Sequence, residues 1–294
     1  MSHQARDPSP KASTCPRCKA LNASHFSTCV RCGHALSTGA QLALNLSTHV
    51  DGEEMWGAKF IILLTVIIFA GQVWIGQMGS GQDALDALMS PTTVDALRFG
   101  ALHAKLVLFE PWRLISAVFV HFGTWHMLAN MFFLTWLGRV VEPAIGSTRF
   151  VLAYVVTGIA GFVLSMAYSM FVEKFGGGLT AGASGAVFGI TGVVLGMLYR
   201  QKNPQWKRFA VQAVAFQLLI GIGINQARVG IMINNLAHVG GLIPGLLLGF
   251  AFATRQKSTR EGARRELMLN LGALVAVVVC LAALALAQKS SVWR

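Results

Sequence analysis

Residues 180–199 read Thr-Ala-Gly-Ala-Ser-Gly-Ala-Val-Phe-Gly-Ile-Thr-Gly-Val-Val-Leu-Gly-Met-Leu-Tyr. From Ala183 onward the stretch is almost wholly apolar, and its length approaches that of a helix that spans a lipid bilayer. Ser184 stands near its start, with Gly182 and Gly185 on either side. Many serines in membrane helices only bond their own backbone or a neighbouring helix. Ser184 therefore needs a partner elsewhere in the chain before it indicates chemistry.

The composition is that of a polytopic membrane protein. Only 12% of the 294 residues are charged, against roughly 25% in soluble domains. The 31 glycines suit close helix packing in lipid. Seven apolar runs are candidate membrane spans: 57–78, 114–138, 149–171, 183–199, 208–224, 235–253 and 267–287. The fifth is the least regular, because Gln212 and Gln217 interrupt it.

The distribution of Lys and Arg along the chain predicts a membrane topology. A net charge of +12 would also suit a nucleic acid or an anionic membrane surface. However, Lys and Arg cluster after spans two, four and six, in 139–149, 200–208 and 255–265. The positive-inside rule then makes the N-terminus cytoplasmic and the C-terminus external. No clear nucleic-acid binding is expected.

Two polar side chains on spans four and six are predicted to lie at the same depth. The stretches Ser184–Tyr199 and His238–Ala253 each hold 16 residues, or about 24 Å of helix. A histidine inside a bilayer is costly and indicates function, although a packed core histidine is an equally common outcome. His238 could remove the proton of Ser184 and so activate it as a nucleophile. Spans four and six contain no Asp or Glu, so a two-residue Ser-His dyad is predicted rather than a triad.

A site for the oxyanion is predicted beside Ser184. His126 and Asn130 are spaced i,i+4 on span two and therefore share one helix face. Both side chains could donate hydrogen bonds to a negatively charged oxygen, together with N–H groups at the start of span four. Gly182 and Gly185 would let the backbone approach closely there.

The ordered set of these motifs resembles the rhomboid intramembrane serine proteases over approximately residues 57–255. The motifs that carry the resemblance are Trp112-Arg113, the HxxxN sequence His126–Asn130, the GxSG sequence Gly182–Gly185, and Ala237–Gly241 with its histidine. A GxSG sequence alone would be weak, but this set in this order is specific. His121 also matches a histidine that many members carry. Phe188 departs from the pattern, since some members have a tyrosine there.

The resemblance implies six core helices, a catalytic dyad of Ser184 and His238, and an oxyanion site involving His126, Asn130 and Gly182. It implies a serine endopeptidase that cleaves the transmembrane helix of a membrane-protein substrate near its outer end, without a cofactor. The expected location is a plasma (inner) membrane of bacterial type, with the active site open to the external side. The predicted partners are transmembrane substrates and the lipid bilayer.

The expected architecture is an all-α polytopic membrane protein with a small module in front. The predicted segments are a disordered leader (1–14), a zinc-ribbon-like module with four cysteines (15–36), a linker (37–56), the six-helix core (57–255), and a cytoplasmic loop with a seventh transmembrane helix and a short tail (256–294).

Four of the five cysteines form a CxxC–x10–CxxC pattern. They are Cys15, Cys18, Cys29 and Cys32. Four thiolates with this pairing suit a tetrahedral zinc ion, and so small a unit needs such a support to fold. The predicted zinc is structural, because four cysteines leave no open coordination position. Free or disulfide-linked cysteines are the alternative. The sequence does not identify what this module binds.

Two other functions stay open, as do the roles of a few individual side chains. The chain could be a catalytically silent rhomboid-like protein that binds membrane clients, although it retains Ser184 and His238. It could be a transporter, although its spans lack the carboxylates that often couple ions. Trp112 and Arg113 could be interfacial anchors, or Arg113 could brace the external loop. Glu142 is expected to cap or pair locally.

Overall fold

The computed structural model of the protein describes residues 55–80, 83–213, 215 and 234–253, parts of 12–36, and scattered positions between 268 and 286. The predicted fifth span beyond residue 215, about half of the seventh span, the linker up to residue 54 and the leader up to residue 11 lie outside the described residues.

The described part of the chain is mainly helical. Its helices are α1 (Trp56–Ser80), α2 (Ala84–Met89), α3 (Thr93–Arg98), α4 (Ala104–Val107), α5 (Arg113–Ser116), α6 (Thr124–Ile145), α7 (Ser147–Phe171), α8 (Ser184–Arg200) and α9 (Asn235–Phe252). Residues 206–213 are also helical, as are the described positions between 268 and 286. Helices α2 to α5 form the connection between α1 and α6.

The N-terminal module contains two short strands. Strand β1 (Ala12–Thr14) pairs antiparallel with β2 (Leu21–Ala23) in a register that opposes Thr14 to Leu21. Strand β1 therefore begins inside the segment predicted as a leader. A CxxC turn lies between the two strands, where Lys19 adopts a left-handed conformation (φ 58°).

The prediction of an all-α polytopic membrane fold is confirmed. The span Trp56–Met78, helix α7 and helix α9 are each long and apolar enough to cross a membrane, and α8 is a shorter apolar helix. The number of seven spans stays a prediction.

The predicted bounds of the second span are wrong at both ends. Helix α6 begins at Thr124, ten residues after the predicted start at 114, and it continues to Ile145. Residues 117–120 are apolar because they are buried inside the protein, not because they face lipid as part of a spanning helix. Sequence hydropathy cannot distinguish these two causes of an apolar run.

Helix α8 is the centre of the bundle. It packs against α6, α7 and α9, and most of its residues are buried. Its contact with α9 relies on glycines, as the four-residue spacing of Gly241, Gly245 and Gly249 predicts. A Cβ atom at any of these three would lie 2.0 Å from a carbonyl oxygen of α8. The two backbones therefore touch along three turns.

Candidate active site

Ser184 and His238 are in direct hydrogen-bond contact. His238 Nε2 lies 2.9 Å from Ser184 Oγ. Ser184 is the first residue of α8, and His238 lies in the first turn of α9. The serine is half-buried and the histidine is buried. The structure thus joins the two side chains that were predicted to share one depth, in the arrangement in which a neutral imidazole accepts a hydroxyl proton.

Phe188 stacks on the imidazole of His238. The two ring centroids are 4.2 Å apart and the ring planes differ by 9°. Phe188 lies one helical turn after Ser184 on α8, so a single helix supplies both the hydroxyl and the aromatic face. This stacking fixes the ring plane of His238, and it needs only the aromatic ring that a Phe shares with a Tyr.

His126 faces the backbone that leads to Ser184. A Cβ atom at Gly182 would lie 2.9 Å from His126 Nε2, and Gly182 has a φ of +125°. Both the ring and the backbone conformation therefore require glycine there. The buried Nδ1 of His126 has no hydrogen-bond partner among the described residues. This ring is thus held against the entrance to α8 by packing.

Asn130 lies one turn after His126 on α6. Its Nδ2 donates a 2.8 Å hydrogen bond to the backbone carbonyl of His126. An asparagine amide has a second N–H, so this bond does not use its full donor capacity. The structure therefore brings His126 and Gly182 together, and it leaves Asn130 bonded within its own helix.

His121 and Gln72 support the same entrance, and Gln72 was not singled out in the sequence. The backbone N–H of Ala183 donates to His121 Nε2 at 3.3 Å, while His121 Nδ1 lies 3.1 Å from the carbonyl of Phe119. The proton therefore belongs on Nδ1, which donates to that carbonyl. Gln72 of α1 bonds both the N–H and the carbonyl of His121. A glutamine inside an apolar span was the signal that could have identified it.

The loop before α6 is braced by Arg113. Its side chain is fully buried. It bonds Glu110 at 2.6 Å and the carbonyls of Leu97 and Ala101 at 2.8 and 2.9 Å. It also packs over the ring of Trp112. Burial lowers the pKa of Arg113, and its ion pair with Glu110 acts in the opposite direction. The bracing interpretation of Arg113 therefore fits, whereas an interfacial anchor would be exposed.

The same loop is connected to the nucleophile helix. Leu102 and Thr180 exchange two backbone hydrogen bonds of 2.9 Å, and Gly182 donates to the carbonyl of Ala117 at 2.8 Å. The loop and the Ser184–His238 pair therefore lie at the same end of the helices.

Glu142 lies at the other end of the helices, where it accepts hydrogen bonds from the N–H groups of Gly57 and Ala58 at 2.7 and 3.0 Å.

The four N-terminal cysteines lie close enough together to bind one metal ion. Their Sγ atoms are within 4.8 Å of one another, with Cys18 to Cys29 at 3.4 Å and Cys15 to Cys32 at 3.7 Å. A disulfide would need about 2.05 Å, whereas two ligands of a tetrahedral zinc ion are about 3.8 Å apart. The arrangement fits a metal site with four thiolate ligands.

Comparison with known proteins agrees with this geometry. A family model described as the Rhomboid domain matches residues 108–255, which is half of the chain. The chain is 36% identical over 172 residues to RHOMBOID-like protein 1 of Arabidopsis thaliana, covering 57% of this chain and 42% of that protein. It is 35% identical over 182 residues to RHOMBOID-like protein 2 of the same plant, covering 60% and 54%.

A bacterial relative is named as a protease. Over 191 residues the chain is 30% identical to Rhomboid protease GluP of Bacillus subtilis (strain 168), covering 65% of this chain and 35% of that protein. The matched region spans about half, or less, of the length of these three relatives. The helical fold, the matched domain and these relatives lead to one conclusion: the chain belongs to the rhomboid family.

Proposed function

We propose that the protein is an intramembrane serine endopeptidase with Ser184 as nucleophile and His238 as general base. The observation that supports this most directly is the 2.9 Å contact between Ser184 Oγ and His238 Nε2. Membership of a family that includes a named protease of Bacillus subtilis adds to it. The substrate class is the transmembrane helix of another membrane protein.

The proposed reaction has two stages. Ser184 Oγ attacks the carbonyl carbon of the scissile peptide bond while its proton passes to His238 Nε2. The tetrahedral intermediate collapses, the C–N bond breaks, and His238 returns the proton to the leaving amine. Water then attacks the acyl-enzyme, again with His238 as the base, and this releases the carboxyl product and restores Ser184.

The oxyanion would lie at the start of α8. The first N–H groups of a helix have no acceptor within that helix, and the helix dipole favours negative charge there. His126 is held against Gly182 at this point, so its ring can complete the site from the α6 side. Asn130 would contribute its second N–H. Each such donor typically lowers the barrier by about 3 kcal/mol.

The deciding experiment is cleavage of a model transmembrane substrate in reconstituted vesicles. We expect the wild type to cleave it, and Ser184→Ala and His238→Ala to lose cleavage. Ser147→Ala and His103→Ala are matched controls, one at the start of another helix and one in the external loop, and both should remain active. Cleavage that survives Ser184→Ala would refute the mechanism. A wild type that binds the substrate without cleaving it would instead favour a client-binding protein.

We further propose that the active-site end faces the external side of a plasma membrane of bacterial type. The basic segments 139–149 and 200–208 belong to the opposite end of α6 and α8, as the positive-inside rule requires of a cytoplasmic face. A single cysteine introduced at Gly178 should then react with an impermeant maleimide in intact cells, and one at Lys202 should not. The reverse pattern would overturn the orientation.

We also propose that Cys15, Cys18, Cys29 and Cys32 hold a structural zinc ion. The sulfur separations support a four-thiolate site, and the ion would stabilise a module too small for a core of its own. Purified protein should contain about one zinc per chain. The double variant Cys15→Ser, Cys18→Ser should lose the metal, whereas Cys280→Ser should keep it. Unchanged metal content in the double variant would refute the site.

A further inference from the structure

Asn234, the residue before α9, bonds three separate parts of the structure. Its Oδ1 accepts a 3.0 Å hydrogen bond from the N–H of Ala237 and so caps the helix. Its Nδ2 donates to Ser165 Oγ on α7 at 2.5 Å and to Thr180 Oγ1 at 3.0 Å. The side-chain amide therefore uses its acceptor and both of its donors on three different elements.

The bond between Asn234 and Thr180 connects the two helix entrances that carry the dyad. Thr180 lies four residues before Ser184, and Asn234 lies four residues before His238. Thr180 cannot shift independently, because two backbone hydrogen bonds of 2.9 Å hold it to Leu102 of the external loop. The Asn234 amide therefore connects the segment that leads to the nucleophile, through Thr180, with the segment that leads to the base.

A helix cap alone does not account for this arrangement. Capping requires only a side-chain acceptor for an N–H of the first turn. Thr92 illustrates that simpler case, since its hydroxyl accepts from the N–H of Asp95 and the side-chain bond that it donates goes to the same residue. The two bonds from Asn234 to Ser165 and Thr180 reach other elements and are additional to its cap.

We propose that Asn234 is a positioning residue, whose amide sets the distance between Ser184 and His238 by tying the start of α9 to Thr180 and to α7. The inference rests on the proposed dyad. Loss of the tie frees the start of α9, and a displacement of about 1 Å in a reacting group costs on the order of 100-fold in rate. Substrate binding is unaffected, because Asn234 acts through His238.

Asn234→Ser separates positioning from capping. Serine is a good helix cap but is too short to reach both Ser165 and Thr180. We expect this variant to keep the unfolding temperature of the wild type within a few degrees, to keep KM, and to lose about 10- to 100-fold in kcat. The rate at which a fluorophosphonate probe bonds Ser184 Oγ, with loss of fluoride, should fall in parallel, since it depends on the same base. Thr180→Val should show a similar loss.

The double variant and the wild type complete the test. Asn234→Ser combined with Thr180→Val should be no slower than Asn234→Ser alone, because both changes break one tie. An active wild type together with an equally active Asn234→Ser variant would overturn the positioning role alone. A wild type that neither cleaves substrate nor reacts with the probe would remove the proposed function and this inference with it.

Discussion

Gly241→Ala tests whether the glycine contact between α8 and α9 aligns the dyad. Gly241 lies three residues after His238, and a Cβ atom there would be 2.0 Å from the carbonyl oxygen of Gly185, the residue after Ser184. Relief of that overlap requires the two backbones to separate by roughly 1 Å, towards normal contact distance. The 2.9 Å contact between Ser184 and His238 would then lengthen to about 4 Å, beyond hydrogen-bond range.

The expected result is a large loss of activity with a smaller loss of stability. Overpacking costs typically about 1–3 kcal/mol, which exceeds the roughly 1 kcal/mol that alanine gains over glycine in a helix. A displacement of about 1 Å at the reacting groups lowers kcat on the order of 100-fold. Substrate cleavage in vesicles gives kcat, and thermal unfolding in detergent gives the stability change.

Two further alanine variants make the result interpretable. Gly249→Ala has the same 2.0 Å overlap, with the carbonyl of Val193, but lies eight residues beyond Gly241. It should lose similar stability and far less activity. A Cβ atom at Gly272 would meet no atom of the described residues within 4 Å, so Gly272→Ala should leave both properties unchanged or slightly raise stability. A Gly241→Ala protein with wild-type kcat and unfolding temperature would refute the proposed close contact.

Two other variants test side chains around the site. Phe188→Leu removes the aromatic face from His238. Since such aromatic pairs are worth about 0.5–1.5 kcal/mol, kcat should fall roughly 2- to 10-fold, whereas Phe188→Tyr should keep a kcat near that of the wild type. Equal kcat values for the two variants would contradict the stacking role. Arg113→Ala removes the buried cation that bonds Glu110 and two backbone carbonyls, and it should destabilise the protein by about 3–5 kcal/mol in thermal unfolding. Arg98→Ala is the control, since the contact of this partly exposed side chain with Asp95 is long, at 3.9 Å, and its loss should cost about 1 kcal/mol or less. If Arg113→Ala unfolds at the same temperature as Arg98→Ala, the loop does not depend on the Arg113 side chain.

The pairing of Ser184 with His238 is predictable because the apolar runs that carry them have clear C-terminal ends. Counting residues back from Tyr199 and Ala253 gives equal depths, and regular helix geometry makes that count meaningful. The glycine spacing on span six also predicted a close helix contact, since only backbone proximity explains small residues at four-residue intervals.

Other features could not be obtained in this way. The start of α6 was misplaced because residues buried in protein and residues exposed to lipid are equally apolar. A glutamine inside an apolar span marks Gln72 as unusual, but the bonds of Gln72 and Asn234 depend on where side chains from distant parts of the chain meet. An asparagine before an apolar helix predicts a cap, but its bonds to Ser165 and Thr180 become evident only in three dimensions.

The position of Glu142 bears on how far the start of α1 depends on the segment that precedes it. The N–H groups of Gly57 and Ala58, in the first turn of α1, are satisfied by the Glu142 carboxylate, which lies 85 and 84 residues further along the chain. The core thus carries its own cap for its first helix. Because both bonds come from within the core, a change in the segment before residue 55 would leave the N–H groups of Gly57 and Ala58 paired.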